Sequence, residues 1–410
     1  MSSLSSPSAS SRPASGSLRP VVPAALPVSV PAGSRGPEGR WPVALVASST
    51  PTARDTLLFR LLTDDPAELT GDDRPLVVVS YDMLRDGDGR RLVRSVVERT
   101  GATHRTPLGM DQLCLHCLAD DDLVGLLALL EGSGRWSGAV VALPLTADPL
   151  PLAHRLDQQM TAGGRLARLV LAGTATALDG PGYESALLDD ALLTDLDLEL
   201  YDEDGRSLGE ALASQVGYAD LVLVGSATGM TGREADLLEH TRPHDTLAGP
   251  LDDLALRAEI WRCRHQVAAA RARTDLRTPQ PWGGPHDHGV WTLDLRSDRP
   301  FHPDRLLENI EELGCGRLRS WGHFWVPTRP DRLALWDGAG GQVSVGDLGA
   351  WDTLPDTRLV MVGVGDEADR IRAAFGHTLL TPAEWAAGVG CWQGVDDELA
   401  PWLGAYGPQG

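Results

Sequence analysis

Apolar positions along the chain fall into short unbroken runs separated by segments with helical spacing. The run Val43–Ala47 predicts a strand, followed by a helix carrying Leu57, Leu58 and Leu61. Leu76–Ser80 predicts a second strand, and Val93 and Val97 mark a helix after it. Asp120–Leu130 reads as helix, with strands at Ala139–Leu143 and Leu169–Ala172. Ser207-Leu-Gly-Glu210 has the spacing of a capping box, in which side chains satisfy the free N–H groups of a helix start. That helix runs to about Tyr218, Leu221–Val224 is the next strand, and Leu251–Arg273 reads as one long helix. Strands that are apolar throughout belong to a sheet covered on both faces, which is the habit of parallel sheets. The predicted class is α/β, a parallel sheet covered by helices, with a smaller α+β domain behind it.

Composition shifts set the boundaries. Residues 1–40 are dominated by Ser, Pro, Ala, Gly and Arg, with no acid before Glu38. Such a segment buries too little apolar surface to offset its ordering entropy, so it is expected to be disordered. A basic docking arm built on Arg12, Arg19, Arg35 and Arg40 is the functional alternative. The main unit covers 41–274, and a Pro/Gly-rich linker follows at 275–289. Eight of the 12 tryptophans lie between Trp291 and Trp402. They mark the smaller domain at 290–390, with strands at 290–296, 321–328, 333–336 and 358–363 and helices at 303–313 and 366–375. Residues 391–410 read as a tail. Within the smaller domain Trp321, Phe324, Trp325 and Trp336 suit a core, with a docking face as the alternative.

Charge narrows the function classes. A net charge of -21 argues against a nucleic-acid binder or a protein of anionic membrane surfaces. No apolar run approaches the roughly 20 residues of a membrane span, and no signal-peptide pattern opens the chain. Five cysteines, at 114, 117, 263, 315 and 391, do not make a disulfide framework, so a reduced cytoplasmic protein is expected. All 36 basic residues are arginine. A P-loop lysine, a Schiff base and a lysine general base are therefore excluded.

Two stretches carry a family resemblance. Arg299-Pro-Phe-His-Pro-Asp-Arg-Leu306, Leu318-Arg-Ser-Trp-Gly-His-Phe-Trp325 and Thr357-Arg-Leu-Val-Met-Val-Gly363 together resemble the C-terminal domain of the CobW family of metal-linked P-loop GTPases. Cys114-Leu-His-Cys117, followed by Asp120-Asp-Asp-Leu123, is similar to that family's Cys-x-Cys-Cys metal motif, with His116 in place of the middle cysteine. The resemblance implies a P-loop-NTPase-like sheet and a zinc-metallochaperone-like role. It also locates three nucleotide elements, and all three depart from the family's pattern. The P-loop position reads Ser48-Ser-Thr-Pro-Thr-Ala-Arg-Asp-Thr-Leu-Leu58. Ser48, Pro51 and Ala53 stand for its glycines, Arg54 for the lysine, and Asp55 and Thr56 for the hydroxyl residues. A phosphate cradle needs free backbone N–H groups and a compact ammonium, and a planar guanidinium is not equivalent. Ala142-Leu-Pro-Leu-Thr-Ala-Asp-Pro149 keeps Asp148 and Pro149 of the second motif but lacks its glutamate. Gly225-Ser-Ala-Thr228 offers no carboxylate to guanine. GTP and magnesium are thus not expected as cofactors, and no catalytic residue is assigned.

Cys114, His116 and Cys117 offer two thiolates and an imidazole, a donor set that suits zinc. A redox pair and simple packing of small apolar side chains are the alternatives. Asp120, Asp121 and Asp122 are expected to disfavour the thiolate and attract a cation, which favours metal over redox chemistry. His286 and His288 form a reduced version of a histidine-rich linker or are simply solvated. His302 fits a structural place at a helix start, while His323, Cys263, Cys315 and Cys391 have no partner at ligand spacing. The reading is a CobW-like zinc-binding and homeostasis protein without GTP hydrolysis, serving a metal-receiving client. Homo- or hetero-oligomer contacts would run through the C-terminal domain. The alternatives are an active GTP-dependent zinc metallochaperone with an altered nucleotide site, and a pseudo-GTPase partner that binds neither ligand.

Overall fold

The computed structural model describes residues 39–404 apart from 88, 110–113, 227–228, 263–264 and 393–394. The expected disordered tail up to residue 38, with Arg12, Arg19 and Arg35, lies outside the described residues, as do Cys263, Ala227 and Thr228.

The larger sheet is built from β1 (Trp41–Ser48), β2 (Val77–Asp86), β3 (Gly89–Glu98), β4 (Thr103–Pro107), β5 (Ala139–Ala142), β6 (Leu169–Asp179), β7 (Leu221–Gly225) and β8 (Leu247–Pro250). Their spatial order is β4-β3-β2-β5-β1-β6-β7-β8. All neighbours from β2 to β8 pair in parallel, while β2, β3 and β4 form an antiparallel meander at one edge. Helices α1 (Pro51–Thr63) and α2 (Pro66–Thr70) follow β1. A helical stretch of α3 (Leu115–Leu118), a π turn (Ala119–Leu123) and α4 (Val124–Gly132) precedes β5. Then come α5 (Pro149–Gln159), α6 (Tyr183–Leu188), α7 (Leu208–Tyr218), α8 (Gly232–Thr241), α9 (Leu254–Glu259) and α10 (Val267–Arg273).

Every residue of β1 is buried, as its unbroken apolar run predicts. Alternation sorts its side chains between two layers. Val43 and Leu45 pack with Leu123, Leu127, Leu152 and Leu156 on one face. Ala44 and Val46 pack with Leu57, Leu61 and Ile260 on the other.

Two expected helices are corrected here. Val93 and Val97 lie on β3, not on a helix, because Asp86 and Gly89 face each other across a tight hairpin with Gly87 at φ +63°. The predicted helix Leu251–Arg273 is interrupted between α9 and α10. There the backbone N–H of His265 donates to Ala172 O (3.1 Å), and its ring enters a polar cluster with Asp220 and Tyr218. The capping box at Ser207 and Glu210 forms as predicted, with bonds of 3.0 and 2.7 Å.

The smaller sheet contains β9 (Val290–Ser297), β10 (Leu318–Phe324), β11 (Arg332–Ala339), β12 (Gln342–Ala350) and β13 (Thr357–Val364), in the antiparallel order β12-β11-β10-β13-β9. On one face Leu359 and Met361 meet α11 (Pro303–Gly314) and α12 (Ala368–Thr378) through Leu306, Leu313, Ile371 and Phe375. On the other face Val360, Val362 and Trp321 meet Leu187, Leu212 and Leu237 of α6, α7 and α8. The four aromatic residues Trp321, Phe324, Trp325 and Trp336 are all buried, so they are core. Short helices α13 (Pro382–Ala386) and α14 (Ala400–Leu403) follow. The segment that reads as a tail is docked up to residue 404. Leu399 and Leu403 enter the core, and buried Asp397 accepts from Thr328 Oγ1 (2.6 Å) and from Arg329 Nε (2.9 Å) and Nη2 (2.7 Å). Among the described residues no helix is long and apolar enough to cross a membrane.

Candidate functional site

In an open α/β sheet the crevice beyond the carboxyl ends of the strands, where strand order reverses, is the usual ligand position. Here that place lies after β1, between β5 and β6. Only Ser49 and Thr50 separate the end of β1 from the start of α1 at Pro51. The helix thus includes Pro51, Ala53, Arg54, Asp55 and Thr56, positions that would form the end of a phosphate loop. Thr50 is the N-cap and makes no side-chain cap.

Arg54 is 6% exposed, and its charge is spent inside the protein: Nη2 lies 2.7 Å from Asp82 Oδ1 and Nε 3.2 Å from Asp55 Oδ1. Gln215, fully buried on α7, reaches across the crevice. It accepts from Ser49 Oγ (2.8 Å) and donates to Ser48 O (3.3 Å) and Ala147 O (3.0 Å). Ser48 Oγ donates to Ala177 O (2.8 Å), and Thr146, at φ +66°, donates its N–H to Ser48 O (3.0 Å). Arg206 closes the far side, clamped by buried Asp204 at 2.8 and 2.7 Å and donating to Thr146 O (3.2 Å). These contacts leave no glycine-lined cradle for a triphosphate, and the residues present do not fit one. Two buried polar atoms of this loop, Thr50 Oγ1 and Arg54 Nη1, have no hydrogen-bond partner among the described residues.

The position of the second expected nucleotide element is a helix start. Asp148 caps α5, accepting the Leu150 N–H at 2.9 Å, and burial pushes its carboxyl above the ordinary range. At the third, Ser226 sits at φ +51° directly after β7, and the two residues beyond it are not described.

The cysteine motif lies on the opposite face of the sheet. Cys114 is the N-cap of α3, and its Sγ accepts the Cys117 N–H at 3.2 Å. Spacing of three residues at a helix start puts both sulfurs on one side. The structure joins Cys114 and Cys117 as a disulfide with Cα atoms 5.2 Å apart, which corrects the expectation of unpaired thiols. Both cysteines and His116 are exposed. Among the described residues, no three His, Cys, Asp or Glu side chains converge on a point where they could hold a metal ion.

The acidic run after the motif is partly tied to arginines. Both oxygens of Asp120 are taken by Arg155 on α5, Nε–Oδ1 at 2.7 Å and Nη2–Oδ2 at 2.8 Å. The Arg155 guanidinium holds the Asp120 carboxyl below its usual range. Asp122 accepts from Tyr81 OH (2.8 Å) and pairs with Arg94. Two of the three carboxylates are thus paired with arginines. Tyr81 and Asp82 are neighbours on β2. One faces the cysteine motif and the other faces Arg54, so the two candidate regions share a strand across the thickness of the sheet.

Histidines of the linker are not simply solvated. His288 Nδ1 lies 2.7 Å from Asp236 Oδ2, and His286 Nδ1 lies 2.9 Å from Val290 O. Buried His240 on α8 contacts Pro285 O (2.9 Å) and Thr292 Oγ1 (2.7 Å), binding the linker to the larger sheet. His302 is the N-cap of α11 and packs edge-on against Trp392. His323 bridges Leu276 O (2.9 Å) and Asp356 (3.0 Å). Cys315 is half-buried, with its thiol pushed up by burial and by Glu311, and Cys391 is exposed. Sequence reasoning missed Asp82, Gln215 and Arg155, whose partners lie far along the chain and leave no local pattern.

Residues 290–379 match the cobalamin synthesis protein CobW C-terminal domain. The zinc chaperone Rv0106 of Mycobacterium tuberculosis is 28% identical over 250 residues, which are 58% of each chain. The present chain therefore spans little more than half the length of that relative. The zinc-regulated GTPase metalloprotein activator 1 of Dictyostelium discoideum is 22% identical over 418 residues, 90% of this chain and 82% of that one. Zn(II)-bound YjiA GTPase from E. coli shares 17% identity, covering 83% of this chain and 99% of its own, at a TM-score of 0.33. The matched CobW C-terminal domain is thus set behind a mostly parallel sheet whose central strand leads into a helix.

Proposed function

We propose that this chain handles zinc without hydrolysing GTP. It binds the ion through Cys114, His116 and Cys117 once the two cysteines are reduced, and holds it for, or passes it to, a client protein in the cytoplasm. The observation that carries this reading is the closed loop after β1, where Gln215 bonds to Ser48, Ser49 and Ala147 and Arg54 is consumed by Asp82. The exposed Cys-x-His-Cys turn supports the other half, because two thiolates and an imidazole are the donors zinc prefers. Relatives named as a zinc chaperone and a zinc-regulated GTPase metalloprotein activator agree with that choice. Zinc is cargo in this scheme. The parallel sheet is its scaffold, and the C-terminal domain is the surface through which a client or a second subunit docks.

Equilibrium titration with GTP and with zinc, separately and together, tests the proposal. The expected result is about one zinc per reduced chain, lost in Cys114→Ser/Cys117→Ser, and no GTP binding. A second reading is favoured by one observation, the unpartnered Arg54 Nη1 and Thr50 Oγ1 in the loop. These could contact a phosphate in a weakly active GTP-dependent metallochaperone. Magnesium-dependent GTP binding in the micromolar range would establish that reading and overturn the first.

A further inference from the structure

We propose that the cavity between the two halves of the molecule binds a small amino-acid-like molecule, with a cationic nitrogen at one end, an apolar stem and an oxygen acceptor at the other. The inference stands apart from the zinc reading and uses none of its residues. The cavity has a volume of about 240 Å³. Its walls are α6, α7 and the start of α5 on one side and β10 and β11 on the other. It follows α7 from Glu210 to Tyr218, about 12 Å by helical rise. A concave site at a domain interface, with a few polar groups converging on an apolar wall, is the usual form of a small-molecule site.

The charges along this cavity are unevenly answered. Arg319 pairs with Asp337, and Arg273 with Asp220. Asp148 and Glu210 have no such partner among the described residues. Asp148 accepts the Leu150 N–H (2.9 Å), while Glu210 accepts the Ser207 N–H (2.7 Å) and the Ser344 hydroxyl (3.2 Å). Burial and the charge of Asp337 push the Asp148 carboxyl up, against the Leu150 N–H and Arg206, whose guanidinium is clamped by Asp204. A carboxylate taken out of water without a cation is costly, and an ammonium or guanidinium arriving from outside relieves that cost.

The far end of α7 lacks an acceptor. The Arg273 side chain, 9% exposed, donates through Nη1 to Ala219 O (2.7 Å) and through Nη2 to Asp220 (2.9 Å). Its Nε has no hydrogen-bond partner among the described residues. A carbonyl or carboxylate oxygen satisfies such a buried donor. Between the two ends Leu150, Val216, Leu276 and Trp321 supply an apolar wall for a stem of methylene groups. Arg319 already lies over the Trp321 ring, 5.2 Å from its centre, so the place for a second cation is the carboxylate end.

The full chain is titrated calorimetrically with three probes that share a six-carbon stem: ε-aminocaproate, hexylamine and caproate. The first should bind with a Kd below about 1 mM, the second about tenfold more weakly, and the third not detectably. Asp148→Asn keeps the α5 cap, since Asn caps as well as Asp, and removes only the charge. It should weaken both amines by at least about tenfold. Ser214→Leu fills the cavity from α7, giving up only a bond to Ala211 O of its own helix, and should abolish binding. Asp121→Asn should change nothing. Circular dichroism and urea midpoints establish the fold of each variant. Caproate binding as tightly as the amines, or amine binding unchanged in Asp148→Asn, overturns the proposed polarity. Equal affinity for ε-aminocaproate and hexylamine removes the role of Arg273. Binding that survives Ser214→Leu lies elsewhere and overturns the site, and so does a wild-type chain that binds none of the three.

Discussion

Two regions on opposite faces of β2 handle their charges in opposite ways. Under α1, Arg54 is buried and committed to Asp82, and the loop beside it is bonded to buried Gln215. Under α3, Asp120 is exposed and held by half-buried Arg155, while Asp122 is turned inward to Tyr81 and Arg94. The first arrangement resembles a core, where displacing any member leaves another unsatisfied. The second can be rearranged cheaply.

The comparison breaks most readily at Gln215. Gln215→Leu leaves Ser49 Oγ and Ala147 O without their bonds and should cost about 2–4 kcal/mol, read from urea unfolding. The proposal that the loop is a closed remnant also requires that this variant gain no GTP binding. Binding in the variant would make Gln215 a gate.

The next effect is at Asp204, where desolvation raises the buried carboxyl but the hydrogen bonds and charge of Arg206, with the Leu200 N–H, together hold it below its ordinary 3.8. A carboxyl with a lowered folded pKa contributes stability that is complete above its unfolded pKa and is lost as pH falls through the folded value. Asp204→Asn should therefore cost about 1–3 kcal/mol at pH 7. The gap from wild type should narrow below about pH 4. Urea midpoints across that range measure it, and a gap that widens on acidification contradicts the assignment.

Arg54→Ala should cost about 1–2 kcal/mol by leaving Asp82 unpaired, with Arg54→Lys recovering part of it without acquiring nucleotide affinity. The smallest effect belongs to Cys391, exposed and distant in sequence from the motif. Cys391→Ser should leave zinc stoichiometry and affinity unchanged in the zinc titration, showing that thiols as such do not suffice.

The central strands were legible because burial on both faces leaves no polar position to confuse the pattern, as Trp41–Ser48 shows. The box at Ser207 was legible because its partner stands three residues away. The hairpin of β2 and β3 was not, since Val93 and Val97 also fit a helical period and only pairing with Asp82 and Val78 decides between them. Arg155 lies 35 residues from Asp120, and Gln215 lies 166 from Ser49. Partners at such separations carry no local signature, so an acidic run read by itself looked like free charge. The same limit hid Asp397, whose burial against Arg329 turns an apparent tail into part of the core.

The contact between the two sheets sets how the molecule can come apart. Val360, Val362 and Trp321 are covered by helices of the larger half, and the intervening segment is fastened along its length through His240 and His288. A protease cut at Arg277 would nick the backbone without releasing either piece. A fragment starting at residue 290 would emerge with an uncovered apolar face and self-associate. Genetic dissection of this chain is better done by point substitution than by truncation.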